Sequence, residues 1–239
     1  MFDCLIALVL ALVLPITACT GSQGTDPAPP PPDSTVPAPQ DSTVMVPRGG
    51  ATLDGTLSAG EWSGAYVALL TGGGQVLLMH DGGYLYLGVQ RREALVVTVC
   101  LDRGDSVAVF HSSAALGTAA FRRAQNRWNL TRGFTWELRD STMSTAAQRE
   151  REAFLLREGW VATNAYVGAG TDTEFKIAIP SGRARLAVVP MSVGQNYEET
   201  AWWPGRLADG CRARALLTGA PPAQLQFAPD SWITVVARP

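Results

Sequence analysis

Tyr66-Val67-Ala68-Leu69-Leu70-Thr71-Gly72-Gly73-Gly74-Gln75-Val76-Leu77-Leu78-Met79-His80-Asp81-Gly82-Gly83-Tyr84-Leu85-Tyr86-Leu87-Gly88-Val89 is three short apolar runs separated by two glycine-rich turns. Runs of five or six residues are too short for helices that bury a stripe. Bounded by Gly72-Gly73-Gly74 and Gly82-Gly83, they read as strands joined by tight hairpins. The same signal repeats outward along the chain, at Leu95–Leu101, Val107–Phe110, Phe134–Leu138, Val161–Val167, Glu174–Ile179, Arg185–Val189 and Trp232–Val236. About ten short strands with β-branched and aromatic residues predict an all-β fold, a β-sandwich or jelly roll, rather than alternating βαβ units. One helix interrupts the strands. Thr145-Ala146-Ala147-Gln148 has the spacing of a capping box, Gln148–Glu152 supplies a solvated face, Phe154-Leu155-Leu156 gives apolar contacts, and Gly159 stops it.

The 239 residues carry 19 Lys+Arg against 21 Asp+Glu, a formal net charge of −2. That balance supplies no basic field of the kind nucleic acid requires, so no nucleic-acid partner is expected. Charged residues make up 17% and hydrophobic residues 46%, which excludes both a wholly disordered chain and a polytopic membrane protein.

The chain divides into three parts: 1–18, 19–49 and 50–239. Leu5–Leu14 is a ten-residue apolar run, the length of a signal-peptide core and half of what a membrane-spanning helix needs. Ile16-Thr17-Ala18-Cys19 then resembles the lipobox of bacterial lipoproteins, an aliphatic residue and two small ones before the cysteine that receives the lipid. The leader Met1-Phe2-Asp3-Cys4 departs from that pattern, with an acid and no Lys or Arg. The resemblance implies cleavage after Ala18, a lipid on Cys19 and a lipid anchor in a membrane. Thr20, rather than an aspartate, after the cysteine favours the outer membrane by enterobacterial sorting rules. An ordinary cleaved signal peptide or a buried helix is the competing reading of the same run. Between Thr20 and Pro47 lie eight of the sixteen prolines and no basic or aromatic residue, so this stretch reads as an extended tether to the domain. The expected address is the bacterial cell envelope.

Cys4 falls in the signal and Cys19 would be lipidated, which leaves Cys100 and Cys211. In an oxidising compartment they form one disulfide, or else remain two separate buried thiols. No Cys-x-x-Cys and no His-rich cluster occurs, so neither a structural zinc nor thioredoxin-like chemistry is expected.

Three stretches carry a further resemblance. Leu53-Asp54-Gly55-Thr56-Leu57-Ser58-Ala59-Gly60-Glu61-Trp62-Ser63-Gly64-Ala65 resembles the opening segment of family 9 carbohydrate-binding modules and of the wider DOMON-like group of sandwiches. His80–Val89 is similar to that group's next signature, a turn into a strand, and Glu174-Phe175-Lys176-Ile177-Ala178-Ile179-Pro180 to its late strand. The resemblance covers nearly all of 50–239 and implies a β-sandwich with a non-catalytic, carbohydrate-binding role. These are fold-determining positions, so no ligand contact is carried over from the family.

All seven tryptophans lie in the domain. Sugars stack their C–H-rich faces on aromatic rings while polar side chains hydrogen-bond the hydroxyls. Two polar stretches with aromatics are therefore the candidate ligand face. Gln195–Pro204 contributes Asn196, Glu199, Trp202 and Trp203, and Arg122–Trp128 contributes Arg122 and Trp128. Trp62, Trp136 and Trp232 read as structural. His80 and His111 read as ordinary surface or core histidines, and Leu101–Asp105 as a turn rather than a calcium loop. No Gly-x-Ser-x-Gly elbow, P-loop or dinucleotide glycine pattern occurs, and Glu198 and Glu199 read as solvated. No enzyme activity, cofactor or metal is expected, and the domain is expected to be a monomer.

Overall fold

The structure, a computed structural model, describes residues 43–91, 95–139, 144–163, 172–192 and 201–239. Among these the strands are β1 (Thr43–Val46), β2 (Tyr66–Leu69), β3 (Gln75–His80), β4 (Tyr84–Gln90), β5 (Leu95–Asp102), β6 (Ser106–Ser112), β7 (Leu116–Ala124), β8 (Arg127–Glu137), β9 (Trp160–Ala162), β10 (Thr173–Ala178), β11 (Arg183–Ser192), β12 (Gln224–Leu225) and β13 (Ile233–Ala237). They form an all-β sandwich. One sheet has five strands in the order β2-β3-β4-β10-β9 and the other eight, β1-β13-β11-β5-β6-β7-β8-β12. Every pairing is antiparallel except β1 with β13. The glycine-rich meander that opens the sequence argument is β2-β3-β4, and Gly72, Gly73 and Gly74 all take positive φ (88°, 93°, 91°), which only glycine adopts without strain.

Three apolar layers follow from the alternation of side chains along the strands. The central one lies between the sheets. There Val76, Leu78, Leu85 and Leu87 of the five-stranded sheet meet Val97, Val99 and other residues of the eight-stranded sheet. A second layer covers the outer face of the eight-stranded sheet, where Cys100, Val109, Phe121 and Val189 are buried under Leu207, Leu216, Phe227 and Trp232 of the C-terminal segment. The Cys100–Cys211 disulfide closes that layer, joining residues 111 apart in sequence with Cα atoms 6.0 Å apart. The third covers the outer face of the five-stranded sheet, where Leu77, Met79 and Tyr86 are buried with Trp62.

The last layer explains the Asp54–Ala65 motif physically. Gly55 turns the chain with φ of 86°. The exposed N–H groups of that turn are satisfied by Glu174 on β10, whose Oε2 accepts from the N–H of Asp54 (2.8 Å) and of Gly55 (2.7 Å). Trp62 Nε1 donates to Glu174 Oε1 at 3.2 Å, and Leu57 N–H to Asp172 Oδ2 at 2.9 Å. A buried carboxylate thus collects three donors from one loop, and its neighbour on the same face collects a fourth.

Several expectations change. Thr43–Val46, read as the end of the tether, is strand β1, in register with Thr234–Ala237. From β1 the chain crosses to the other sheet, where Pro47 O accepts from His80 N–H at 3.0 Å. Leu116–Ala124 was not anticipated as a strand, because its Gly-Thr-Ala-Ala centre has little β-propensity. Neighbours on both sides make it one. The helix, α1 (Thr145–Glu158), is capped one residue earlier than the sequence suggests: Ser144 Oγ accepts from Ala147 N–H at 3.2 Å, while Gly159 ends it in the left-handed conformation. Arg151, expected on the solvated face, is buried and donates to Ala162 O, whereas Leu156, expected to make contacts, is 81% exposed.

Candidate functional site

The paired tryptophans of the expected ligand face sit on a short extended ribbon that ties the two sheets together. Trp203 exchanges backbone hydrogen bonds with Val188 of β11, both at 2.8 Å, in the lane that β13 has just vacated. One residue earlier, Trp202 exchanges them with Thr71, just past β2, at 3.1 and 3.3 Å. Neighbouring residues of an extended chain point to opposite faces, so the two indoles part company. Trp203 enters the central core at 5% exposure. Trp202 turns the other way and lies half-buried against the outer layer of the eight-stranded sheet. The expectation of two adjacent stacking rings is therefore corrected.

Two contacts hold Trp202 in place. Its Nε1 donates to Gly205 O at 3.0 Å. The Arg212 guanidinium lies 3.8 Å from the ring centroid, and Arg212 Nη1 donates to Leu207 O at 2.8 Å. Arg212 has no counterpart in the sequence reading. It lies ten residues from Trp202, and no local pattern announces a stacked guanidinium.

The second expected stretch lies mostly within strands. Arg122–Trp128 is the tip of the β7–β8 hairpin, closed by Gln125 and Asn126 with φ of 49° and 61°, the positive pair of a two-residue hairpin turn. Arg122 is exposed and pairs with Asp105 at 3.1 Å. Trp128 is buried at 3%, donates from Nε1 to Phe227 O at 3.0 Å and meets Phe227 edge-on, so it belongs to the outer layer and offers no stacking face. Strand β7 lies three lanes from β11, about 14 Å at ordinary strand spacing, so these residues do not join Trp202 in one site. Asn196 and Glu199 lie outside the described residues, as does Cys19.

Two buried groups have displaced proton affinities. Burial pushes the Glu174 carboxyl up to about 7, against the pull of its backbone donors and with the Asp54 carboxylate adding to the rise. Burial pushes the His111 imidazole down to about 4. His111 sits on the outer face of the eight-stranded sheet, with Nδ1 3.0 Å from Thr98 Oγ1 and its ring edge-on to Trp136 at 5.3 Å. Among the described residues no group of three or more His, Cys, Asp or Glu side chains is placed to hold a metal ion.

No family model, no curated protein and no solved structure matches this chain.

Proposed function

We propose that this chain is a non-catalytic, lipid-anchored ligand-binding protein of the bacterial cell envelope, and that a polysaccharide or oligosaccharide engages it at Trp202. The half-exposed, immobilised indole of Trp202 carries the reading. A ring fixed before the ligand arrives loses little rotamer freedom on binding, and the neighbouring Arg212 supplies planar donors for hydroxyls. Arg212 occupies one face of the indole, so the sugar meets the remaining exposed surface and the guanidinium edge. Anchoring is supported by the apolar run Leu5–Leu14, by Ile16-Thr17-Ala18-Cys19 and by the proline-rich spacer that follows. The outer membrane is the membrane proposed.

The test is a polysaccharide and oligosaccharide panel on the full chain, read by tryptophan fluorescence, with Trp202→Ala and Arg212→Lys alongside. The expected result is saturable binding that falls about tenfold or more in Trp202→Ala. A panel without binding, or binding indifferent to Trp202, overturns it.

A second reading, an envelope module that binds protein and no small ligand, is favoured by β2. This edge strand exposes Val67 at 50% and Leu69 at 80% on one face, and no charged residue occurs from Gly64 to Met79. Edge strands are ordinarily guarded by charge. Under this reading Leu69→Lys abolishes cross-linking of the full chain to an envelope protein in cells and leaves the sugar panel unchanged.

A further inference from the structure

At the end of the sandwich that carries the β5–β6 and β10–β11 turns, the two sheets do not close on each other. A cleft of about 190 Å³ remains, with Leu101 and Ala184 from the eight-stranded sheet on one side and Ala178 and Ile179 on the other. Its floor is apolar, since Leu101 and Ile179 are 2% and 3% exposed. Two arginines also line it, Arg103 from the β5–β6 turn and Arg183 at the start of β11. Among the described residues neither guanidinium has a hydrogen-bond or ion-pair partner. Arg103 keeps its contact with solvent, and the part of it that the protein covers draws its pKa below the ordinary arginine value.

The nearby acid does not answer these charges. Asp102, which also lines the cleft, already accepts from Gly104 N–H at 2.8 Å and from Arg185 Nη1 at 3.3 Å. Arg185 in turn reaches Asp230 at 2.8 Å. Three arginines therefore stand against two aspartates around this opening, and the surplus lies with Arg103 and Arg183.

We propose that this cleft binds a small monocarboxylate with an apolar body, the carboxylate held by Arg103 and Arg183 and the hydrocarbon laid on Leu101, Ile179 and Ala184. Guanidinium groups match carboxylates with paired, charge-assisted hydrogen bonds. A cavity of about 150 Å³ admits benzene, so this cleft takes an acid of roughly benzoate size. Bare inorganic anions would satisfy the arginines but leave the apolar floor wet, and neutral hydrocarbons would leave the arginines unanswered. The site is separate from Trp202 and stands or falls independently of sugar binding.

The experiment is titration of the full chain with benzoate, hexanoate, benzyl alcohol and inorganic phosphate, followed by amide NMR shifts and by calorimetry. Both arginines are exposed, so Arg103→Gln and Arg183→Gln leave the core intact. The expected result is saturable binding of at least one carboxylate, with shifts at Leu101, Ile179 and Ala184. Affinity falls about tenfold or more in each variant and for benzyl alcohol. No saturation by either carboxylate up to about 10 mM, or affinity unchanged in both variants, overturns the site. Phosphate binding as tightly as benzoate overturns the ligand class.

Discussion

Replacing Glu174 by Gln and, separately, His111 by Phe exposes two opposing proton linkages that nearly cancel in the unaltered protein. Glu174 has its carboxyl raised from 4.5 to about 7 in the fold. The folded state therefore holds the proton more tightly than the unfolded chain, and this contribution is fully present below pH 4.5 and lost as pH rises through 7. His111 is lowered from 6.5 to about 4, so the fold holds its proton more weakly. That contribution is present above pH 6.5 and lost as pH falls through 4. Each shift spans about 2.5 units, which at 1.36 kcal/mol per unit is about 3 kcal/mol in either case. Both groups are buried, at 0% and 2% exposure, so little is lost to solvent screening. Between pH 7 and 4.5 the unaltered protein is expected to show an almost flat stability profile. Glu174→Gln should lose about 3 kcal/mol across that interval as His111 alone is titrated, and His111→Phe should gain a similar amount as Glu174 alone is titrated. The assay is urea unfolding at fixed pH values, followed by tryptophan fluorescence and extrapolated linearly. Only the slope against pH is read, so any constant cost of losing the Thr98 or Trp62 hydrogen bond drops out. A Glu174→Gln profile parallel to that of the unaltered protein would refute the reasoning, because it would mean that the three donors on Glu174 outweigh its burial.

Further outcomes follow from the packing. Reducing the Cys100–Cys211 bond reopens a loop of 111 residues' separation, and the chain-entropy model puts the loss at about 5 kcal/mol; urea midpoints with and without reductant measure it, and a loss under about 1 kcal/mol contradicts the staple. Gly88→Ala places a Cβ 2.6 Å from Leu57 Cδ2 and 3.3 Å from the Trp62 ring, so it should destabilise by about 1–3 kcal/mol by prising Asp54–Ala65 from the five-stranded sheet. The same unfolding assay checks it, and an unchanged midpoint rejects the close packing. Cys19→Ser should move the protein from the membrane to the soluble fraction, and unchanged fractionation removes the lipid anchor from the proposal.

The sequence by itself determined what depends on near neighbours. The β2-β3-β4 meander is legible because its strands are short, apolar and joined by glycines that only a tight turn requires, and α1 because its stop signal at Gly159 is local. A pairing between Cys100 and Cys211 was legible as one of two alternatives, and the fold chose it by burying both sulfurs in one layer. Tertiary structure decided the rest. Leu116–Ala124 is a strand because β6 and β8 flank it, and its own residues carry no such instruction. Thr43–Val46 hides in a proline-rich stretch and becomes a strand only when β13, nearly two hundred residues away, offers its edge. The fate of Trp202 and Trp203 follows the same logic. Alternation guarantees that adjacent indoles diverge, but which one enters the core depends on register with Val188 and Thr71, and register is a property of the assembled sheets. Arg212 over Trp202, and Arg103 with Arg183 around one cleft, are likewise meetings of distant segments, for which a linear sequence holds the residues but not the distances.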